Sequence, residues 1–208
     1  MIKEFFDSKI QRFRPFLPPV STCGFIPINS DGFWKFRSAP TKSLHQAAEI
    51  FNRNQGETII EIGTGLHGRM AGNSILVWTG KTRAKRIIAI DLDPQRIEDV
   101  KGVANQHPHV ELVVGDGITF LQAFPSRIDL LYLDFTAPEP EGQITGTGIA
   151  EAYRLAYHGA KDKLNPHSMI LIDDTDHIHP WKHTLIVPDA RKDGYRVLYT
   201  GRQTLLIR

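Results

Sequence analysis

Five short runs of apolar residues recur along this chain, and segments with helical spacing separate most of them. The runs cover residues 58–62, 86–91, 110–114, 128–134 and 168–173. Strands that are apolar throughout are buried on both faces, and their alternation with helices is typical of a parallel sheet covered on two sides. Two further runs, at 195–200 and 203–207, are separated by only Gly201-Arg202. Because that gap is too short for a parallel crossover, the last two strands are predicted to form an antiparallel hairpin.

This pattern predicts an α/β domain with a doubly wound, mostly parallel, seven-stranded sheet that ends in an antiparallel hairpin. Its helices are predicted over residues 44–54, 70–79, 94–105, 118–123 and 149–164. We assign residues 44–208 to this domain. Residues 1–43 are rich in proline and aromatic residues, and we predict short helical turns there. This N-terminal segment is expected to cover a sheet edge, to form a dimer contact in a homo-oligomer, or to act as a lid over the substrate.

Composition excludes several classes of protein. The 208 residues carry a formal net charge of only +2, which does not indicate nucleic-acid binding. The single cysteine, Cys23, rules out an intrachain disulfide framework and a cysteine zinc site. No apolar run approaches the roughly 20 residues that span a bilayer, and the first residues lack the apolar core of a secretory signal. We expect a soluble cytoplasmic protein with no membrane partner.

A glycine-rich turn follows the first predicted strand of the domain. Residues 63–68 have the sequence GTGLHG, which matches the pattern G-x-G-x-x-G. Glycines let backbone N–H groups approach a ligand closely, and a helix that begins after such a turn favours negative charge at its N-terminus. A nucleotide-like ligand fits these properties. A tight strand–helix turn of purely structural glycines gives the same pattern.

Acidic residues stand at or near the ends of successive predicted strands. In a doubly wound sheet, ligands bind outside the carboxyl ends of the strands. A negatively charged rim there favours a cationic ligand or a metal ion, and it repels the phosphates of a dinucleotide. The residues concerned are Glu61, Asp91, Asp116, Asp134, Asp173 and Asp174.

Five motifs in this order resemble those of the class I S-adenosylmethionine-dependent methyltransferases. They are EIGTGLHG at 61–68, IIAIDLD at 87–93, VVGDG at 113–117, LLYLD at 130–134 and the terminal hairpin. The resemblance covers residues 58–208 and implies a Rossmann-like methyltransferase fold with S-adenosylmethionine as cofactor. One departure is His67-Gly68, where many members of the family carry a small residue before the last glycine.

The resemblance also implies roles for individual residues in cofactor binding. Gly63 and Gly65 would pass beneath the methionine part, Asp91 would hold the ribose, and Asp116 would meet the adenine amino group. Glu61 would lie near the methionine end. Structural alternatives exist, because Asp91 could cap the helix that begins at Pro94, although Asp93 is the better placed N-cap, and Asp116 could start a turn into the helix at Ile118. The full predicted cofactor set is Glu61, Gly63, Thr64, Gly65, Asp91, Leu92, Asp116, Gly117 and Asp134.

A second group of acids suggests a metal site. Asp134, Asp173 and Asp174 follow strands that should be neighbours, and converging carboxylates repel unless a cation or a proton holds them together. The pattern resembles metal-dependent O-methyltransferases of the catechol and macrolide-sugar types, which implies Mg²⁺ at these three residues. Capping of the following helix by Asp174 and Asp176 is the structural alternative. His177 is the candidate general base, beside His179 and His183.

The predicted function is therefore methyl transfer from S-adenosylmethionine to a small-molecule acceptor at a hydroxyl oxygen, with Asp134 and His177 as catalytic residues and Mg²⁺ as a possible aid. An NAD(P)-dependent oxidoreductase is the first alternative, since GTGLHG followed by Asp91 also fits a dinucleotide site. A noncatalytic nucleoside-binding protein is the second. A nucleic-acid or protein methyltransferase is the third, and it would gain support if the basic residues of the N-terminal segment formed one contiguous patch beside the pocket.

Overall fold

A computed structural model of the protein describes residues 23–27, 34–38, 40–64, 74–136, 146–176 and 181–208. The strands and helices alternate over most of this length. In chain order they are β1 (Cys23–Pro27), β2 (Trp34–Ser38), α1 (Pro40–Arg53), β3 (Thr58–Ile62), α2 (Ser74–Lys81), β4 (Arg86–Asp91), α3 (Pro94–Ala104), β5 (Val110–Val114), α4 (Gly117–Ala123), β6 (Ile128–Leu133), α5 (Thr147–Ala160), β7 (Leu164–Ile172), α6 (Ile186–Lys192), β8 (Arg196–Tyr199) and β9 (Thr204–Ile207).

The main sheet has seven strands in the order β5-β4-β3-β6-β7-β9-β8. The strands from β5 to β7 pair in parallel, and β9 pairs antiparallel with both of its neighbours. The predicted fold class, including the terminal hairpin, is confirmed. Successive strands proceed outward from β3 to β5 and then from β6 to β7, so the strand order reverses between β3 and β6. A ligand crevice is expected outside the carboxyl ends of the strands at this point.

Buried apolar residues cover both faces of the sheet. Ile60, Ile88 and Leu131 face a layer formed by α4, α5 and α6. Their neighbours along the strands face the opposite layer, formed by α1, α2 and α3. This burial on both faces explains why the strands are apolar throughout rather than alternating. The two layers hold the carboxyl ends of the parallel strands in one plane.

Several predicted boundaries and elements are wrong. The helical turns predicted for residues 1–43 are replaced, where that segment is described, by an antiparallel pair in which Phe25 lies opposite Phe36. Aromatic residues favour strands, and this preference outweighs the prolines that suggested broken helices. Helix α1 begins at Pro40, in the first turn, where proline is tolerated. Helix α6 was not predicted.

Strand β7 is longer than the sequence pattern indicates. It begins at Leu164, so Asn165-Pro166 lies inside a strand and does not end the preceding helix, which stops at Ala160. The pairing of β6 with β7 shifts register between Ile128 and Leu130, next to this proline. Such irregularities are where a strand accepts a residue without a backbone N–H. Among the described residues, no helix combines the length and apolar character needed to cross a bilayer.

Candidate active site

A cleft of ≈ 310 Å³ opens at the carboxyl ends of β3, β4, β5 and β6. It lies where the strand order reverses, as the topology predicts. Residues that follow four different strands line it, and most of the predicted cofactor residues are among them. The lining is Ile62, Gly63, Ile90, Asp91, Leu92, Asp93, Arg96, Gly115, Asp116, Gly117, Ile118, Asp134, Phe135 and Thr136.

Gly63, which directly follows β3, occupies a position that only glycine fits. Its φ is +85°, and a Cβ placed on it would lie 2.1 Å from the backbone oxygen of Asp134. Its N–H donates to the Ile90 carbonyl at 2.8 Å, which continues the pairing with β4. The end of β3 is therefore in close contact with the end of β6, and the missing side chain of Gly63 makes this approach possible. Gly65, His67 and Gly68 lie outside the described residues.

Asp91 ends β4 with both carboxylate oxygens engaged by main-chain N–H groups. Oδ2 accepts from Thr64 at 3.0 Å, and Oδ1 accepts from Asp93 at 2.9 Å. Asp93, and not Asp91, caps helix α3, because its carboxylate accepts from the Gln95 N–H. The capping alternative for Asp91 is therefore wrong. Leu92 beside it is 68% exposed and offers an apolar surface at the rim of the cleft.

Asp116 caps helix α4 and also lines the cleft. Its carboxylate accepts from the backbone N–H of Ile118 at 3.2 Å and of Thr119 at 3.1 Å, and from the Thr119 hydroxyl at 2.5 Å. These bonds, led by that from the Thr119 side chain, lower the pKa of Asp116. The structural role is thus present. The role toward adenine stays a prediction.

Glu61 is fully buried in β3 and is held by two side chains of α2. Ser74 donates its hydroxyl to Oε1 at 2.6 Å, and Trp78 donates its indole N–H to Oε2 at 2.8 Å. Burial raises the pKa of Glu61 to about 7, against the opposing effect of these hydrogen bonds. A partner was expected for an acid inside an apolar strand, because an unpaired buried charge is costly. The protein supplies that partner itself.

Asp134, Asp173 and Asp174 meet at the ends of β6 and β7. One carboxylate oxygen from each lies within 4.8 Å of the others, so the predicted convergence occurs. Burial and the charge of Asp173 raise the pKa of Asp134 well above its usual value. The Tyr132 hydroxyl donates to Asp134 Oδ2 at 3.4 Å. The next described helix begins only at Ile186, so neither Asp174 nor Asp176 caps a described helix.

Two cationic side chains in this acidic group were missed by the sequence analysis. Lys182 places its Nζ 3.2 Å from Asp134 Oδ1 and 3.4 Å from Asp174 Oδ2. Arg202 pairs with Asp174 and approaches Asp173, with Nε 3.8 Å from Oδ1. The signal was the acidic group itself, because carboxylates gathered at a partly buried edge require cations. Both cations come from segments without a recognisable motif, the loop after β7 and the hairpin turn before β9.

The histidines do not join the acids within the described part of the chain. His177 and His179 lie outside it, so the general-base role of His177 stays a prediction. His183 is described, and its Nδ1 is buried without a hydrogen-bond partner among the described residues. Burial lowers the pKa of His183, which favours the neutral ring.

Comparison with known proteins decides the family. The family profile of a methyltransferase domain matches residues 60–175, which is more than half of the chain. The chain belongs to the class I S-adenosylmethionine-dependent methyltransferases. The matched range contains the glycine turn, Asp91, Asp116 and the three converging acids. The methyltransferase assignment takes the place of the oxidoreductase alternative. No curated protein matches this chain significantly.

Solved structures show that this methyltransferase shares its fold with distant proteins. A Geobacter sulfurreducens methyltransferase is 16% identical, with 96% of this chain and 85% of that one covered at a TM-score of 0.58. A Staphylococcus aureus protein assigned as a caffeoyl-CoA O-methyltransferase is 11% identical, with coverage of 99% and 97% and a TM-score of 0.57. A Clostridium thermocellum protein assigned as an rRNA methylase is 14% identical, with coverage of 79% and 95% and a TM-score of 0.55. At these identities the likeness concerns the fold alone.

Proposed function

We propose that this methyltransferase transfers the methyl group of S-adenosylmethionine to a hydroxyl oxygen of a small-molecule acceptor. The observation that carries the proposal is the meeting of Asp134, Asp173 and Asp174 within 4.8 Å at the edge of the cofactor cleft. Asp134 directly adjoins Gly63, since its backbone oxygen occupies the space of the missing Cβ. The acids therefore stand next to the turn that we assign to the methionine end of the cofactor.

Each part of the cofactor would have a matching group in or beside the cleft. Gly63, Thr64 and Gly65 would contact the methionine part through the main chain. Asp91 would accept hydrogen bonds from the ribose hydroxyls, and Asp116 with Gly117 would meet the adenine. These assignments fit a cationic sulfonium nucleoside. The acidic edge, formed by Asp134, Asp173 and Asp174, attracts the positive charge of the sulfonium and repels a pyrophosphate.

A small acceptor fits the charge of this edge better than a nucleic acid. Three carboxylates face two cations, Lys182 and Arg202, so the group is negative on balance. A phosphate backbone requires cationic side chains that release its counterions, and a net negative edge opposes its approach. The S. aureus neighbour, assigned as an O-methyltransferase, agrees with an oxygen acceptor.

The donor set also fits a divalent metal ion. All three groups offer carboxylate oxygens, which Mg²⁺ prefers, and ligands about 2.1 Å from one ion lie about 3–4 Å apart, so small side-chain movements would suffice. Asp134, Asp173 and Asp174 would hold the ion. When bound, it would lower the pKa of the acceptor hydroxyl.

The side chains of this protein would orient the acceptor and take its proton. We assign proton transfer to Asp134 and His177. Burial and the charge of Asp173 raise the pKa of Asp134, and a carboxylate with a raised pKa is a stronger base toward the acceptor proton. Within the cleft the acceptor oxygen would be held in line with the sulfonium methyl, and most of the rate enhancement would come from this alignment.

Two measurements test the proposal. Calorimetry with S-adenosylmethionine should show binding, and its absence at millimolar cofactor would contradict the cofactor assignment. Formation of S-adenosylhomocysteine should then be followed with small hydroxylated compounds, with RNA and with protein as acceptors. Turnover with RNA alone would overturn the small-molecule assignment. Full activity in the presence of a chelator would contradict the role of a metal ion but not the methyl-transfer function.

A further inference from the structure

Lys182 is a buried lysine at the acidic edge. Its side chain is only 3% exposed, whereas lysine is almost never fully buried unless it is paired. The ammonium group lies between Asp134 and Asp174, at 3.2 and 3.4 Å, and 5.5 Å from the centre of the Tyr153 ring. An aromatic face attracts a cation electrostatically. Three groups from three different elements or loops thus surround one positive charge.

Lys182 lies where a metal ion would otherwise neutralise the charges of Asp134 and Asp174. Asp134 and Asp174 would repel each other without a cation between them. Lys182 contacts one oxygen of each carboxylate, Oδ1 of Asp134 and Oδ2 of Asp174. The other two oxygens already pair with Tyr132 and Arg202, so an ion coordinated by these two residues would lie beside the ammonium group. An ammonium group and a divalent ion cannot share these oxygens at close range, because their charges repel. Arg202 would continue to serve Asp173 and Asp174 from the other side.

We propose that Lys182 is the resident counter-ion of the acidic edge, and that a divalent cation binds Asp134 and Asp174 only by displacing its ammonium group. Lys182 keeps the carboxylates together in the metal-free enzyme and sets how tightly the ion is held. It is a positioning residue and not a proton carrier. This inference rests on the proposed function for the identity of the metal ligands.

The experiment compares Lys182→Met with the wild type, using Mn²⁺ as the probe. Paramagnetic resonance of free Mn²⁺ measures binding directly, without turnover. The matched control is Lys192→Met, because Lys192 also donates to an aspartate, Asp189, at 2.9 Å but is 75% exposed. We expect Lys182→Met to bind Mn²⁺ at least tenfold more tightly than the wild type, and the control to match the wild type.

Thermal unfolding supplies the second readout. In chelator, Lys182→Met should melt below the wild type, since the acids lose their cation, and Mn²⁺ should restore the melting temperature. If Lys182→Met folds only with Mn²⁺, the inference is supported. If it folds under neither condition, or if Mn²⁺ does not raise its melting temperature, the inference is wrong. Lys182→Arg keeps the charge and should retain the wild-type melting temperature.

Equal Mn²⁺ affinity in the wild type and Lys182→Met would overturn the inference, and so would the absence of Mn²⁺ binding in both. Calorimetry with S-adenosylmethionine separates this failure from failure of the proposed function. If the wild type binds S-adenosylmethionine but has the same Mn²⁺ affinity as Lys182→Met, only the inference about Lys182 is contradicted. Loss of cofactor binding in the wild type would instead contradict the proposed function, whatever the Mn²⁺ result.

Discussion

The Asp91 carboxylate accepts a hydrogen bond from the Thr64 backbone N–H at 3.0 Å, which ties the end of β4 to the turn after β3. Its other oxygen accepts from the Asp93 N–H at 2.9 Å. The side chain is therefore fixed by main-chain groups before any ligand arrives. A carboxylate held in this way loses little conformational freedom on binding, which favours affinity.

Replacement of Asp91 by alanine should weaken binding of S-adenosylmethionine. Hydrogen bonds to a charged group contribute about 1.5–3 kcal/mol, so we expect an affinity loss of about 10- to 100-fold in calorimetry. Asp99→Ala is the control, since Asp99 is exposed on helix α3, which follows Asp91, and bonds only to Gln95 in the described hydrogen-bond network. Wild-type affinity in Asp91→Ala would contradict the ribose assignment.

Gly63→Ala should unfold more easily than the wild type. The new methyl group would meet the Asp134 backbone at 2.1 Å, and φ at this position is +85°. We expect a loss of at least about 2 kcal/mol in the free energy of unfolding, measured with urea. Gly102→Ala is the matched control, because no atom lies within 4 Å of its Cβ position in α3. That variant should gain about 0.5–1 kcal/mol through helix propensity. Similar behaviour of the two variants would contradict the close approach of β3 to β6.

Glu61 should make the enzyme less stable as the pH rises. Its pKa is about 7 in the folded protein against 4.5 in the unfolded chain, so between these values unfolding releases a proton. Rising pH then favours unfolding, by about 3 kcal/mol in total. Glu61→Gln lacks this titration, and its amide can still accept from Trp78 and donate to Ser74. Urea unfolding across this pH range should show the wild type losing stability relative to the variant. Parallel curves would show that Glu61 ionises normally.

Two substitutions at Asp116 separate its structural role from its binding role. Asp116→Ala removes the cap of α4 and should cost about 1 kcal/mol of unfolding free energy. Asp116→Ser restores a capping oxygen, but its shorter side chain would not reach the adenine amino group in the proposed binding mode. We expect both variants to bind S-adenosylmethionine more weakly in calorimetry, while only alanine lowers the stability. Wild-type cofactor affinity in Asp116→Ser would show that Asp116 only caps α4 and does not bind the cofactor.

The strands of the main sheet could be predicted because their burial on both faces is written into consecutive residues. The runs at 58–62 and 86–91 coincide with β3 and β4. Helix α6 and the β1–β2 pair were not predicted from the sequence. Their hydrophobic patterns are short, and many of the residues around them are proline or histidine. The convergence of Asp134 with Asp173 followed from topology alone, because neighbouring parallel strands end at one edge.

The cations of the acidic edge could not be predicted in the same way. Lys182 is 48 residues from Asp134, and no periodicity links a loop to a strand end. Arg202 occupies a hairpin turn, where its charge would ordinarily face solvent. The repulsion between the carboxylates predicts that cationic side chains lie beside them, but the path of the loops decides which lysine or arginine residues these are. The residues that line the cleft were easier to predict, because most of them lie at or directly after the end of a strand.

The close approach of Gly63 to Asp134 means that the glycine pattern after β3 reports on the packing of the strands as well as on ligand binding. The missing side chain makes room for the neighbouring main chain, so this glycine would be retained in a protein of the same shape that had lost its ligand. A pattern search that rewards Gly63 therefore collects proteins by architecture. Under the proposed function, the acids after the strands, together with Lys182, would be the better markers for separating active enzymes from inactive relatives in that collection.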